Sequence, residues 1–442
     1  MPGRDRRLAW GWLSWARWWR REAPFAAILL LAATLLTLNV GTPFWAQHEF
    51  NGAVFTGVAA NHLRLGLGVT RGQDYFADTP YGLWPTPAQV PDLMALYFHG
   101  QTTAVPYGHH PPLLGLTVAG AIAVFGEHTA VVRAVPIVYS LLGLVLFYLL
   151  VVRLFDRGIA RVASLLYATF PLFAYFGRNV CHEAPTLCYG LALILAYVRW
   201  RPGGPRRRWW AALMAGSVVV GGCYGWPMYY LVGLLIAVDW VSRRRFDSRL
   251  ALTIGLPGVV TLAGVLGQIT AMPGGGLSQL LANGQLRTGD TDSSGATPMA
   301  WWHQLVRYYA EQNFGKIAVA LVPFAVGFLV YRAYRERLSQ RTMIVGLFGA
   351  WGLVHIVLWR DGAWVHTYWQ FYLLPFVAIV LAWPAVALAR RCLTRQWLRA
   401  AAFVVAGVGI YLLAQPQILA FYENTTVGVV GVRTLWQSLL FG

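Results

Sequence analysis

Apolar runs of similar length recur along the whole chain, each closed by arginines or by a polar, aromatic-rich stretch. Crossing about 30 Å of hydrocarbon at about 1.5 Å per helical residue takes about 20 apolar residues. Runs of that kind lie at 24–44, 132–152, 159–177, 184–199, 209–224, 226–241, 250–270, 316–334, 343–359, 370–389 and 399–416. They predict an all-α polytopic membrane protein with about eleven transmembrane helices. As one helix, 209–241 would be about 50 Å long, too much for one crossing. A turn is therefore expected at Gly225-Trp226-Pro227. The run 112–126 makes only about 22 Å of helix and is expected to lie beside the membrane or to re-enter it.

Charge orients these helices. Of 35 basic residues, 26 fall in six clusters: Arg4–Arg21, Arg153–Arg161, Arg199–Arg208, Arg243–Arg249, Arg332–Arg341 and Arg390–Arg399. With the N-terminus cytoplasmic and 112–126 not spanning, every cluster falls on the cytoplasmic side, as the positive-inside rule requires. The segment 1–23, rich in Trp and Arg, is expected to lie in the cytoplasmic interface ahead of a retained first anchor. The external segments are then 45–131 (the first loop, with juxtamembrane helices), 177–184, 271–315, 360–370 and a tail, 417–442. No internal repeat is visible, and 1–442 reads as a single membrane domain.

Composition agrees. The chain is 57% hydrophobic and 12% charged, and a soluble domain carries about twice that charged fraction. A soluble enzyme, a disordered chain and a disulfide scaffold are excluded. The net charge of +18 sits in short clusters between apolar runs rather than on one face, so nucleic acid is not the expected partner. The four cysteines have no metal-finger spacing.

No phosphate-cradling glycine loop, H-E-x-x-H pair or G-x-S-x-G elbow occurs, and no nucleotide cofactor is expected. The chemistry-bearing residues gather instead on the external side. His48-Glu49 follows the first run. His109-His110-Pro111-Pro112 precedes the short apolar run. Arg178, His182 and Glu183 lead into the run at 184, and His366 and Tyr368 into the run at 370. Ionisable groups at a membrane boundary are functional candidates. A partly desolvated carboxylate such as Glu49 has the raised affinity for protons that suits a general base, and Glu183 has the same potential. The bland alternatives are a solvated acid for Glu49, an Arg178–Glu183 salt bridge, and a polar loop at His109-His110. Glu49, His110 and Glu183 are also the side chains available to a divalent cation. No metal is assigned.

An acid just after the first span, a Pro-Pro motif before a short helix and an Arg-x-x-x-His-Glu-x-Pro entry to a later span resemble the C-type membrane glycosyltransferases. The similarity is to the protein O-mannosyltransferase and lipid A aminoarabinose transferase families with their bacterial relatives. The likeness is best over 24–200, and departs in carrying His48-Glu49 where the mannosyltransferase pattern has Asp-Glu or His-Asp. It also lacks a soluble C-terminal region, so acceptor recognition would rest on external loops or a partner.

The resemblance implies an enzyme of the bacterial inner (plasma) membrane with its active site on the periplasmic or extracellular face. It would take a sugar from a polyprenyl-phosphate donor in the bilayer. The acceptor would be a hydroxyl of a cell-envelope lipid, glycan or protein, attacking the anomeric carbon with inversion. Glu49 would be the base and Glu183 the second acid. His109, His110 and Arg178 would lie near the donor phosphate, with His48, His182, His366 and Tyr368 completing the substrate site. A transporter or lipid flippase without catalysis is the competing expectation. It calls for inverted repeats and polar groups at the midplane.

Overall fold

A computed structural model describes residues 4–44, 46–76, 105–272, 276–288 and 297–423. The parts of the predicted first loop at 77–104 and of the tail at 424–442 lie outside the described residues, as do the side chains of the 1–20 segment. Among the described residues the architecture is helical, apart from one two-residue antiparallel pairing of Tyr75 with Pro106 and Phe76 with Val105.

The helices follow the apolar runs. In chain order they are α1 (Arg4–Thr37), α2 (Phe50–Leu65), α3 (Leu67–Thr70), α4 (Leu113–Phe125), α5 (Thr129–Leu154), α6 (Arg157–Thr169), α7 (Pro171–Phe176) and α8 (Glu183–Trp200). Then come α9 (Arg207–Tyr224), α10 (Pro227–Arg243), α11 (Ser248–Thr270, with a π-turn near its start) and α12 (Gly276–Thr288). A helix over 298–314, with a π-turn at its centre, precedes α13 (Lys316–Arg335), α14 (Gln340–Leu358) and α15 (Arg360–Val365). The 3-10 turn Thr367–Leu373 leads into α16 (Leu374–Cys392), and α17 (Gln396–Glu423) follows. Six helical stretches among the described residues are long and apolar enough to cross a membrane: Thr129–Leu154, Ser248–Thr270, Lys316–Arg335, Gln340–Leu358, Thr367–Cys392 and Val405–Glu423.

Local chemistry sets the breaks. The expected turn at 225–227 divides α9 from α10: Gly225 is extended, and Pro227 occupies the first helical turn of α10, where its missing N–H costs nothing. Two boundaries differ from the hydropathy pattern. The run 24–44 stops being helical at Thr37, and 38–44 and 46–49 fold in turns, the first through Asn39, which has positive φ. The run 159–177 is two helices, because Pro171 biases Phe170 to an extended backbone and ends α6 there.

The core is centred on α8, buried at every position except Tyr189 and Arg199. It packs mainly on α9 and α5. Gly190 lets the Trp351 ring lie against α8, since a Cβ there would sit 2.4 Å from the indole. The Trp351 indole N–H donates to the Pro227 carbonyl at 2.9 Å, joining α14 to α10. A second layer, α2 against α4, sits over the end of the bundle predicted to be external. A buried His62–Asp74 contact at 3.1 Å braces it, and burial pushes the Asp74 carboxyl up to about 6 against the opposing pull of His62. The N-terminal end of the most buried helix, carrying His182-Glu183, thus lies against that layer, where the Phe55 ring of α2 packs edge-on to His182 at 5.2 Å.

Candidate active site

The sequence-predicted residues divide into two groups. Glu49 and Arg178 belong to the first. Both Glu49 oxygens are engaged: Oε1 accepts from Arg178 Nη2 at 2.5 Å, and Oε2 accepts from Arg133 Nη2 at 2.9 Å and from the Ala46 N–H at 3.3 Å. Arg133 also donates to the carbonyls of Val40, Thr42 and Pro43, and Arg178 to that of Leu38. Phe44 and Tyr422 rings cover the two guanidiniums, each 4.4 Å away. The turns at 38–44 and 46–49 are thus wrapped on two buried cations that share one carboxylate. A carboxylate with both oxygens engaged by guanidinium and amide donors serves here as the shared counter-ion of two buried arginines.

The remaining residues form one cluster, with Glu183 next to His182 and acting electrostatically on Tyr368. His48, one residue before Glu49, turns the other way, with its ring centre 5.1 Å from Tyr368 and 5.8 Å from His366. The His110 ring stacks on His182 at 4.3 Å and lies 4.6 Å from His109. His110 occupies the bend before Pro111-Pro112, and the Trp226 indole N–H fixes the His109 carbonyl at 2.9 Å. The segment 366–370 is held from behind. Gln47 donates to Thr367 Oγ1 at 3.2 Å, and Asn313 to the Thr367 carbonyl at 2.8 Å and to Gln370 at 3.0 Å. Asn51 donates to the Tyr368 hydroxyl at 3.1 Å. Of the nine predicted residues, His48, His109, His110, His182, Glu183, His366 and Tyr368 therefore meet, whereas Glu49 and Arg178 stand apart from them on the arginine-lined side.

Arg287, on the last turn of α12, is the site residue that the sequence did not single out. Its guanidinium donates to His366 Nε2 and lies 5.4 Å from the centre of the Trp369 ring. It acts electrostatically on Glu183, His109, His110 and His366. A lone arginine after a Gly-Ser-Leu segment carries no spacing signal; only the folding of α12 against α15 brings it here.

Burial sets the protonation of the cluster. Desolvation lowers His48 and His182 to about 4 and His109 to about 3, and holds His110 and His366 well below the ordinary imidazole value, with nearby Arg287 adding to the effect on His109, His110 and His366. The five rings are neutral at pH 7. The opposite effect acts on Glu183, just ahead of the predicted span at 184. Desolvation pushes its carboxyl up to about 7, with the Cys181 thiol, its own backbone N–H and Arg287 pulling the other way. Glu183 Oε2, His182 Nε2, His48 Nδ1 and His366 Nδ1 are buried with no protein partner. Because Arg287 can only donate, His366 accepts at Nε2 and carries its proton on Nδ1. His182 donates from Nδ1 to the Tyr224 carbonyl at 2.6 Å, which leaves Nε2 an acceptor. Donors and acceptors with nothing to bond are thus collected in one cluster that includes a carboxylate, an arrangement suited to a hydroxyl-bearing ligand. Among the described residues no group of three His, Cys, Asp or Glu side chains is disposed to hold a metal ion, and Glu49 does not join His110 and Glu183.

Residues 109–267 match the family model of dolichyl-phosphate-mannose-protein mannosyltransferases. No curated protein matches the sequence. Among solved structures, ArnT from Cupriavidus metallidurans bound to undecaprenyl phosphate is similar with a TM-score of 0.59 and 14% identity, over 95% of this chain and 78% of that one. An Archaeoglobus fulgidus oligosaccharyltransferase tethered with an acceptor peptide gives 0.56 and 14%, over 93% of this chain and 56% of that one. AglB from the same organism, in complex with an inhibitory peptide and a dolichol-phosphate, gives 0.53 and 14%, over 91% and 56%. The chain thus spans just over half the length of the archaeal proteins. At this identity the likeness is one of fold.

Proposed function

The chain resembles the C-type membrane glycosyltransferases in sequence over 109–267 and in fold over most of its length, and from that premise we propose that it transfers a sugar from a polyprenyl-phosphate donor to an acceptor hydroxyl. The observation that carries this is Glu183, a buried carboxylate with an unpartnered Oε2, a proton affinity near neutrality and Arg287 in electrostatic reach. Glu183 takes the proton of the attacking hydroxyl as oxygen attacks the anomeric carbon. The carbon–oxygen bond to phosphate breaks on the opposite side, with inversion. Arg287 neutralises the departing phosphate, as a charge-assisted contact should. His109 and His110 add neutral donors beside it, and His48, His182, His366 and Tyr368 surround the sugar and the acceptor. The base role expected of Glu49 passes to Glu183. Glu49 instead fixes Arg133 and Arg178, and with them the turn that aims His48.

In the same proposal the protein crosses the bacterial inner membrane about eleven times, with the N-terminus cytoplasmic and the site on the outer face. Helix α1 and the shorter α6, α8, α9 and α10 complete the set, and the described parts of 45–131 and 271–315 form the external layer. The lipid tail of the donor then stays in the bilayer while its sugar reaches Glu183. A flippase would string its ionisable groups across the bilayer, and here they collect at one end of α8. The test is mass spectrometry of cell-envelope lipids, glycans and proteins from cells carrying the wild type, no copy, or Glu183→Gln. One glycosylated species should vanish in both of the latter. Identical envelopes in all three would remove the proposal.

A further inference from the structure

Beside the imidazole cluster lies a second group of polar side chains with no role so far. His355, near the end of α14, is 5% exposed. Its Nδ1 shares a hydrogen bond of 2.5 Å with the hydroxyl of Tyr230, on the first turn of α10, and its Nε2 is buried without a partner. Trp369 joins this pair to the cluster, with its ring centre 4.8 Å from His355 and 5.1 Å from His366. Tyr372 closes the other side, edge-on to His355 at 5.0 Å. Glu183 acts electrostatically on Tyr230, Tyr368 and Tyr372, so this group adjoins the carboxylate proposed as the base. Tyr230, Trp369 and His366 each keep partial exposure at this edge of the cluster.

We propose that Tyr230 and His355 form a sugar subsite that reads a hydroxyl on the far edge of the donor ring, with Trp369 as its stacking wall. The hydrogen-bond count gives the ligand class. With Tyr230 donating to Nδ1, His355 offers one N–H from Nε2 and Tyr230 keeps a free oxygen lone pair. One donor beside one acceptor matches a hydroxyl, which is both. It does not match an ammonium group, which only donates, or a carboxylate, which only accepts. The favoured donor is therefore a neutral sugar at this edge, neither an amino sugar nor a uronic acid. Leaving a buried ring nitrogen unpaired against the wrong sugar is the costly outcome that gives such a pair its selectivity.

This rests on the donor-binding role proposed above, and binding measurements in detergent separate the two. The probes are undecaprenyl phosphate, its mannosyl and glucosyl derivatives, and its 4-aminoarabinosyl derivative. For the wild type, at least one neutral hexosyl lipid should bind about tenfold more tightly than bare undecaprenyl phosphate, the increment of about one well-made hydrogen bond to a buried group. His355→Phe and Tyr230→Phe should each abolish that increment and leave binding of the bare lipid unchanged, which also certifies the fold of each variant. His355→Gln, which restores an N–H, should recover part of it. An increment that survives both Phe variants, one confined to the aminoarabinosyl lipid, or none at all overturns the subsite. A wild type that binds none of the lipids, bare or glycosylated, overturns the donor-binding role itself.

Discussion

Glu49 and Glu183 are buried carboxylates at the same end of the molecule, and their surroundings give them opposite chemistry. Glu183→Gln removes the proton acceptor and little else, so transfer should fall by about a hundredfold or more, with thermal stability in detergent unchanged; activity within severalfold of wild type would exclude Glu183 as base. The wild-type kcat/KM should climb with pH through about 7, the value to which burial raises this carboxyl, losing about tenfold per unit on the acid side. The sign is fixed by the direction of the shift: the folded protein keeps a proton here that an ordinary carboxyl would already have lost, so the base is ready only above that point. Glu49→Gln acts differently. It leaves Arg133 and Arg178 facing each other without their shared anion, and breaking a buried pair costs about 3–5 kcal/mol. The expected result is a lowered unfolding temperature and poor recovery from membranes. The sequence offered His48-Glu49 and His182-Glu183 as like pairs. Nothing in it showed that Arg133, an unremarked residue at the start of an apolar run, would reach Glu49 from across the bundle.

Hydropathy located the helices well, because period and length are written in each run. It missed where they end, because Asn39 and Pro171 act through backbone conformation rather than polarity. It also missed α12, whose mixed sequence, Gly-Leu-Ser-Gln-Leu-Leu-Ala-Asn, shows no span and no clean amphipathic face. That omission mattered, since α12 delivers Arg287. A helix whose sequence propensity is modest and whose last turn holds a site cation is positioned by its contacts with α15 and α11. Arg287→Ala should weaken binding of undecaprenyl phosphate by about tenfold to a hundredfold, and more steeply at low salt than at high salt. Arg287→Lys should recover part of this as a point charge without the planar fork. Equal affinities across the three proteins would remove Arg287 from the phosphate site.

At the scale of the molecule, the seven convergent residues come from four segments separated by up to hundreds of positions, and helix packing brings all four together. The charge pattern predicts, from sequence alone, that all four face outward, provided that 112–126 does not cross. The structure has α4 as a 13-residue helix packed beneath α2, in keeping with a helix that lies in the external layer. If α4 crossed instead, every later loop would exchange sides, and Glu183 would be left opposite His48. Two single cysteines decide between these, in a protein stripped of Cys181, Cys188, Cys223 and Cys392. Arg245→Cys sits in the exposed turn after α10, and His128→Cys in the exposed turn between α4 and α5. In intact cells a membrane-impermeant thiol reagent should label position 128 and spare 245, and permeabilisation should expose 245. Labelling of 245 without permeabilisation would put the arginine clusters outside, separate the two halves of the site by the bilayer, and end the case for a single catalytic pocket.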